Sequence, residues 1–230
     1  MDLHLPIIEP LGRPSVADQV FDELRRQILT LELSPGTKLS EVDVATQMGV
    51  SRQPVRDAFY RLSKLGFLLI RPQRSTTVTL ISEAAVLQAR FVRTALEIET
   101  MRAASARLTD ADIAALDDLI EEQRRAMEAG DKPLFHALDD RFHMEICDRA
   151  GVGFVWDLVV ERKAHTDRVR MLSLAFASRL AWEDHLAIMA ALKSRDADAA
   201  ADAVRTHLSR IKDQIEIIRA QNHSWFAGDA

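Results

Sequence analysis

The hydrophobic pattern of the first 80 residues predicts three helices followed by a hairpin. The first helix begins at Ser15. Its apolar stripe is formed by Val16, Val20, Leu24, Ile28 and Leu31. Two short helices follow over about 41–48 and 51–65, each closed by a glycine in the position of a left-handed cap. Apolar residues 67–70 and β-prone residues 76–80 flank a basic turn and predict two strands. This order of elements is that of a winged helix-turn-helix.

Beyond residue 81 the pattern is helical throughout, and it predicts an antiparallel bundle of about six helices without a strand. The expected interruptions lie near Thr109, Gly130, Gly151–Gly153, Ala177 and Arg195. The change of pattern predicts two domains, one over 1–81 (ordered from about residue 12) and one over 82–230. We therefore expect a mainly all-α protein, in which a winged helix-turn-helix with a small β-hairpin wing precedes a helical bundle.

The net charge of −5 hides a local basic patch. Residues 50–80 contain six Lys or Arg against one Asp, whereas residues 81–230 are acidic overall. Such a patch is typical of a surface that attracts phosphate. The chain has one cysteine, no run of about 20 apolar residues and no N-terminal pattern of a secretion signal. These features predict a cytoplasmic protein with no membrane span.

The third predicted helix has two distinct faces. Its apolar face is formed by Val55, Ala58, Phe59, Leu62 and Leu65. The opposite face presents Arg52, Gln53 and Arg56. Guanidinium groups bind guanine edges or phosphates with two hydrogen bonds, and an amide suits adenine. An ordinary amphipathic surface helix would share this pattern, but the glycine turn before it and the basic hairpin after it favour a DNA-reading helix.

The run PGTKLSEVDVATQMGVSRQPVRDAFYRLSKLGFL resembles the signature of the GntR superfamily of transcription regulators, with a resemblance that covers roughly residues 14–80. The resemblance implies binding to double-stranded DNA. It places Ser51, Arg52, Gln53 and Arg56 in or near the major groove. On the wing, it brings Arg71, Gln73 and Arg74 to the minor groove or the DNA backbone. Ser75 departs from the family pattern, which usually has glycine there, and this departure concerns the wing tip and not the domain assignment.

Three histidines and one aspartate in the C-terminal half are predicted to point inward. Asp139 and His143 are four residues apart and therefore share one face of a helix. His185 and His207 lie among apolar residues on two further helices. The four side chains could converge on one ion, and this donor set suits Zn²⁺, with Ni²⁺, Mn²⁺ or Fe²⁺ as alternatives. Hydrogen-bonded core histidines are the competing interpretation.

Residues 82–222 resemble the FCD domain, the helical effector domain of the FadR-type subfamily. The motif from Asp139 to His143 and the segments WEDHLAIMAAL and DADAAADAVRTHL match the positions of the family's metal ligands. The Ala-Gly-Val-Gly at 150–153 departs from the usual Gly-Asn pair, at a position that is not a ligand. The resemblance implies a bound metal and a small organic acid as effector, with Arg93 facing the pocket. A salt bridge from Arg93 to Glu97 is the alternative role for that arginine.

Together these features predict a transcription repressor that responds to a small carboxylate near a divalent metal. One recognition helix reads few bases, so a homodimer on a palindromic operator is expected. A metal-responsive regulator is one alternative, and a helical metal-dependent hydrolase fused to a DNA-binding domain is another. No catalytic residue is predicted, because the sequence lacks paired E-x-x-H motifs, a nucleophile elbow and a glycine-rich phosphate loop.

Overall fold

The computed structural model describes residues 14–71 and 75–228 and divides into two compact units between Thr79 and Leu80. The predicted boundary after residue 81 lies two residues further along the chain. Ile81 belongs to the second unit because its backbone pairs with the C-terminal segment: its N–H donates to the Trp225 carbonyl, and its carbonyl accepts from the Ala227 N–H, at 2.8 and 2.9 Å.

The first unit contains three helices and a small sheet. They are α1 (Val16–Leu29), β1 (Lys38–Leu39), α2 (Glu41–Met48), α3 (Arg52–Lys64), β2 (Leu68–Leu69) and β3 (Thr76–Val78). Ser15 caps α1 in a reciprocal capping box with Asp18. Val20, Leu24 and Ile28 of the predicted stripe are buried. Leu31 lies two residues beyond the end of α1, and its positive φ of 66° is not helical.

The turn between α2 and α3 has the predicted geometry. Gly49 ends α2 with φ 66° and ψ 31°, in the left-handed region that disfavours residues with a Cβ. Ser51 is the N-cap residue of α3, but its side chain makes no capping hydrogen bond. α3 packs against α1 through Val55, Phe59 and Leu62, which are buried. The opposite face of α3 is thereby left exposed.

The predicted hairpin is part of a three-stranded antiparallel sheet with the order β1-β3-β2. β3 lies in the centre, where Thr77 is opposite both Lys38 of β1 and Leu69 of β2. Strand β1 was not predicted, because two residues are too few to show an alternating pattern.

The second unit is helical apart from its tail. Its elements are α4 (Glu83–Arg107), α5 (Asp110–Glu128), α6 (Lys132–Arg149), α7 (Phe154–Lys193), α8 (Ala197–Ser209), α9 (Ile211–Gln221) and a 3₁₀ turn (His223–Trp225). The interruptions expected near Thr109, Gly130, Gly151–Gly153 and Arg195 are present. The interruption expected near Ala177 is wrong: 154–193 contains neither Gly nor Pro, and alanine favours the helix. A break at Arg210, between α8 and α9, was not predicted.

The core of the second unit lies among α4, α5, α6, α7 and α8. Phe135 and Phe142 of α6 pack there with Ile188 and Leu192 of α7. The core surrounds the inward faces of α6, α7 and α8, where the predicted metal ligands lie.

Along the described chain, no helix combines the length and the apolar character that a membrane crossing requires.

Candidate functional site

The structure brings Asp139, His143, His185 and His207 together. Asp139 and His143 lie one turn apart on α6, His185 lies on α7, and His207 lies near the end of α8. Asp139, His143 and His185 are buried, and the side chain of His207 is 9% exposed. One candidate ligand atom from each residue lies within 4.8 Å of the other three.

The Nδ1 atoms of the three histidines each face an acceptor. His143 Nδ1 lies 2.6 Å from Glu97 Oε2, and His185 Nδ1 lies 2.7 Å from Gln123 Oε1. The Gln123 amide nitrogen donates to the Leu138 carbonyl, which leaves Oε1 as the acceptor for His185. These acceptors favour a proton on Nδ1 of His143 and His185 and a lone pair on Nε2 of both rings.

His207 Nδ1 also faces a carboxylate, Asp184 Oδ2, but at 3.6 Å this is a charge contact and longer than a hydrogen bond. The Nε2 atoms of all three rings point into the cluster. The Nε2 atoms of His143 and His207 are 3.3 Å apart, and His185 Nε2 is 3.6 Å from Asp139 Oδ1. Two nitrogens bound to one tetrahedral zinc at about 2.05 Å would lie about 3.3 Å apart. The donor atoms therefore fit a divalent ion.

The charge states of the cluster suit a cation. Burial lowers the pKa of His185 well below its ordinary value and also lowers the pKa of His207. Burial alone would raise the pKa of Asp139, but the guanidinium of Arg170, with the nearby histidines, holds it well below the ordinary value. Neutral imidazoles and an ionised carboxylate are the forms that bind metal.

Two further charged groups position these ligands. Arg170 of α7 donates to Asp139 Oδ2, which leaves Oδ1 facing His185. Burial would raise the pKa of Glu97, but Arg93 and His143 lower it to about 2. Glu97 therefore remains an acceptor for the Nδ1 proton of His143 at neutral pH.

A cavity opens beside the ligand cluster, and Asp139 and His207 form part of its wall. Four arginines line the same cavity: Arg90 and Arg93 of α4, Arg170 of α7, and Arg210 at the junction of α8 and α9. Asp139 is its only acidic lining residue in the described chain. The remaining wall is largely apolar and includes Leu174, Leu180, Leu208 and Ile211. Such a wall suits an anion with a hydrocarbon part.

Arg93 faces this cavity and also pairs with Glu97. Its side chain is buried, and its Nε donates to Glu97 Oε1. Its Nη2 has no hydrogen-bond partner within the described residues. The two roles that the sequence suggested for Arg93 are thus compatible, because one edge of the guanidinium is paired and another is available.

The sequence did not identify Gln123, Asp184 or Arg170 as parts of the site. Asp184 directly precedes His185, but that adjacency has no motif attached to it. Gln123 is one of several polar residues on α5, and only the structure shows that it is completely buried. Such acceptors are recognised by their contacts with the ligands and not by their spacing.

Replacement of Gln123 by leucine is expected to lower metal affinity about 10–100-fold, because the Nδ1 proton of His185 loses its acceptor. Competition with a chromogenic chelator measures this change. Gln88 lies exposed on α4 and provides the control, since Gln88→Leu should leave the affinity unchanged. Equal affinities of Gln123→Leu and the wild type would show that Gln123 does not support a metal ligand.

A second group of possible ligands, His136, Asp140 and Asp167, lies nearby. The ammonium group of Lys163 already occupies it, at 2.6 Å from Asp140 Oδ2 and 2.8 Å from Asp167 Oδ2. Because this cluster has its own cation, we assign it no metal. It also anchors Arg170, which lies 3.0 Å from Asp140 Oδ1.

In the first unit, the predicted DNA-reading residues are exposed at the start of α3. Ser51, Arg52, Gln53 and Arg56 lie there, opposite the buried face that packs on α1. Arg71 is exposed after β2. The other wing residues assigned to DNA, Gln73 and Arg74, lie outside the described residues.

Glu41 of α2 holds the two arginines of α3 side by side. Its Oε2 lies 3.4 Å from Arg52 Nη2 and 3.2 Å from Arg56 Nη2. The arginine side chains are 58% and 56% exposed, and such surface ion pairs contribute only about 0–1 kcal/mol. Glu41 therefore restrains both guanidiniums only weakly.

Comparisons with known proteins cover both units. Residues 16–78 match the family described as bacterial regulatory proteins, gntR family, and residues 88–210 match the FCD domain. The chain is 38% identical to the HTH-type transcriptional repressor RspR of Escherichia coli (strain K12) over 214 residues, 92% of this chain and 94% of that protein. It is 31% identical to the Nta operon transcriptional regulator of Aminobacter aminovorans over 188 residues, which cover 80% and 88% of the two chains.

The fold also matches a solved structure. E. coli McbR/YncC aligns with a TM-score of 0.73 at 24% identity, over 91% of this chain and 99% of that one. At this identity the match supports the fold alone.

Proposed function

Since the chain belongs to the GntR family of bacterial transcription regulators and contains an FCD domain, we propose that a small carboxylate bound at its metal centre controls its affinity for operator DNA. The FCD domain assigns it to the FadR-type subfamily. Its relatives are transcription regulators and not enzymes. RspR is named a repressor, which supports the same direction of control for this chain.

The convergence of Asp139, His143, His185 and His207 is the observation on which the proposal depends. Three imidazole nitrogens and one carboxylate oxygen would hold the ion, with Zn²⁺ as the preferred metal and Ni²⁺, Mn²⁺ or Fe²⁺ as alternatives. When bound, an ion that accepts more than these four ligands would supply a further coordination position for a carboxylate oxygen. Arg93 would donate from its unpaired Nη2 to the same carboxylate.

On the DNA side, Arg52, Gln53 and Arg56 would read base edges in the major groove, and Ser51 would lie in or near the same groove. The wing, with Arg71, Gln73 and Arg74, would approach the minor groove or the phosphates. The exposure of Arg52, Gln53 and Arg56 at the start of α3 supports this assignment.

A metal-responsive regulator is the second candidate, and the pre-oriented Nε2 atoms favour it as much as they favour a resident ion. The arginine-lined cavity favours an acid as the signal, because a metal sensor needs no additional anion site. Metal removal and return separate the two. If the ion is the signal, it alone changes operator affinity; if an acid is the signal, the ion only permits the response.

The experiment uses operator DNA selected from a random pool and fluorescence anisotropy with metal-loaded protein. Addition of the cognate acid should change the operator Kd about 5–150-fold, the usual range of allosteric coupling. The same addition to metal-stripped protein should have no effect. A response of equal size in stripped protein would contradict a role for the ion in effector binding.

We further propose that the protein binds DNA as a homodimer, because one α3 helix contacts too few base pairs for useful specificity. Sedimentation analysis at micromolar concentration should give twice the chain mass of 25.8 kDa. The selected operator should contain two inverted half-sites. A monomer both free and on DNA would be inconsistent with this assignment.

A further inference from the structure

We propose that the effector has two anionic groups joined by a short hydrocarbon segment, one bound at the metal centre and the other at Arg90. This inference rests on the proposed function and specifies the class of its ligand. It depends on the charge balance of the cavity wall and on the contacts of Arg90.

Three of the four arginines in the cavity wall are already neutralised. Arg93 pairs with Glu97. Arg170 pairs with Asp139 and Asp140. Arg210 binds Asp184 through two hydrogen bonds, with Nε 3.2 Å from Oδ2 and Nη2 3.1 Å from Oδ1.

Arg90 is the exception. Its Nη2 donates to Ser209 Oγ at 2.9 Å, but within the described chain no carboxylate lies within ion-pair distance of it. Its Nε is buried and has no hydrogen-bond partner among those residues. A half-buried guanidinium without a counter-ion has lost hydration that is not replaced, so it favours an anion from outside the chain.

Arg90 also lies where an effector bound to it by one anionic group can reach the metal centre with the other. It lies three residues before Arg93 on α4, so the two share a helix face. Its partner Ser209 is two residues after the metal-ligand candidate His207 on α8. The single hydrogen bond to Ser209 orients the guanidinium and leaves its charge uncompensated.

Large apolar side chains also line the same cavity, beside the polar Thr166, Ser173 and Gln214. Leu174 and Leu180 come from α7, Leu208 from α8 and Ile211 from α9. A hydrocarbon segment packed on these side chains would remove apolar surface from water. The wall therefore fits an aliphatic dicarboxylate, or an acid whose second group is a phosphate, since a guanidinium binds both.

The test is calorimetric titration of zinc-loaded full-length protein with matched acids of four, five and six carbons: butanoate and butanedioate, pentanoate and pentanedioate, hexanoate and hexanedioate. A phosphonate in place of the second carboxylate identifies which anion is preferred. For at least one length, the doubly charged acid should bind about tenfold or more tightly than the monocarboxylate, as expected for a charge-assisted hydrogen-bonded pair.

Arg90→Gln should abolish this preference and leave monocarboxylate affinity within about twofold, whereas Arg90→Lys should retain part of it. Arg102→Gln, on the exposed side of α4, is the matched control and should behave as the wild type. Thermal melts of Arg90→Gln and Arg90→Lys verify that both variants are folded.

Equal binding of single and double anions by the wild type would overturn the inference and leave the proposed function standing. The inference is also wrong if the preference survives in Arg90→Gln, or if Arg90→Gln weakens both classes equally, because Arg90 would then be structural. If no acid of either class binds the zinc-loaded wild type, the proposed function fails together with the inference.

Discussion

Alanine at both Arg52 and Arg56 should nearly abolish specific operator binding. Each arginine that contacts a base is expected to contribute about 1–3 kcal/mol, so each single variant should lose about 5–150-fold in affinity. The substitutions should reduce folding stability only slightly, because both side chains are more than half exposed and their shared partner Glu41 is near the surface. Anisotropy with the selected operator and with scrambled DNA measures both specific and non-specific binding.

The matched control for this experiment is Lys64→Ala, which removes one positive charge from the far end of the same helix. It should alter only the weak, salt-dependent component of binding. Loss of discrimination between operator and scrambled DNA in the arginine variants would identify base contacts. If Arg52→Ala and Arg56→Ala bind the operator as tightly as Lys64→Ala does, α3 is not the reading helix.

Loss of His185 should remove the metal and with it the effector response. His185 is completely buried. Gln123 Oε1 fixes the ring through Nδ1, which leaves Nε2 as the candidate ligand atom. Because changes to such supporting residues alone cost 10–100-fold in affinity, removal of the ligand should cost more than about 100-fold. Operator binding without effector should persist, since the first unit has its own buried stripe in Val20, Leu24 and Ile28.

His185→Gln retains much of the side-chain volume and separates loss of the ligand from loss of packing. His223→Ala changes an exposed histidine and should have no effect on metal binding. Metal affinity measured by chelator competition, together with the operator Kd with and without acid, completes the comparison. A His185→Gln protein that still responds to acid would remove His185 from the effector site.

Much of the first unit was predictable because its signals are local. Gly49 and the apolar arc of α3 depend on residues within one or two turns. Gly49 has the predicted conformation, and four of the five arc residues are buried, whereas Leu65 is the half-buried C-cap residue. Strand β1 depends on pairing with a strand almost 40 residues later, which the two residues of β1 do not reveal. In the second unit, Ala177 was mistaken for a break in a segment without Gly or Pro.

The candidate site likewise has features that the sequence predicts and features that only the structure reveals. The spacing of Asp139 and His143 places them on one helix face, and apolar neighbours place His185 and His207 inward. The acceptors Glu97, Gln123 and Asp184 come from other turns or helices, so only the tertiary structure connects each with its histidine. The sequence pointed to Arg93 as the effector residue, whereas only the packed helices show that no carboxylate of the described residues lies beside Arg90.

The metal content of the protein tests the central claim most directly. Untagged protein, purified without chelators or metal-affinity resin, should contain about one divalent ion per chain by mass spectrometry of the elements, as the four converging ligands require. His185→Gln protein prepared in parallel should contain close to none. A wild-type content near zero that does not rise after dialysis against Zn²⁺ would contradict the account and make these histidines core residues held by hydrogen bonds.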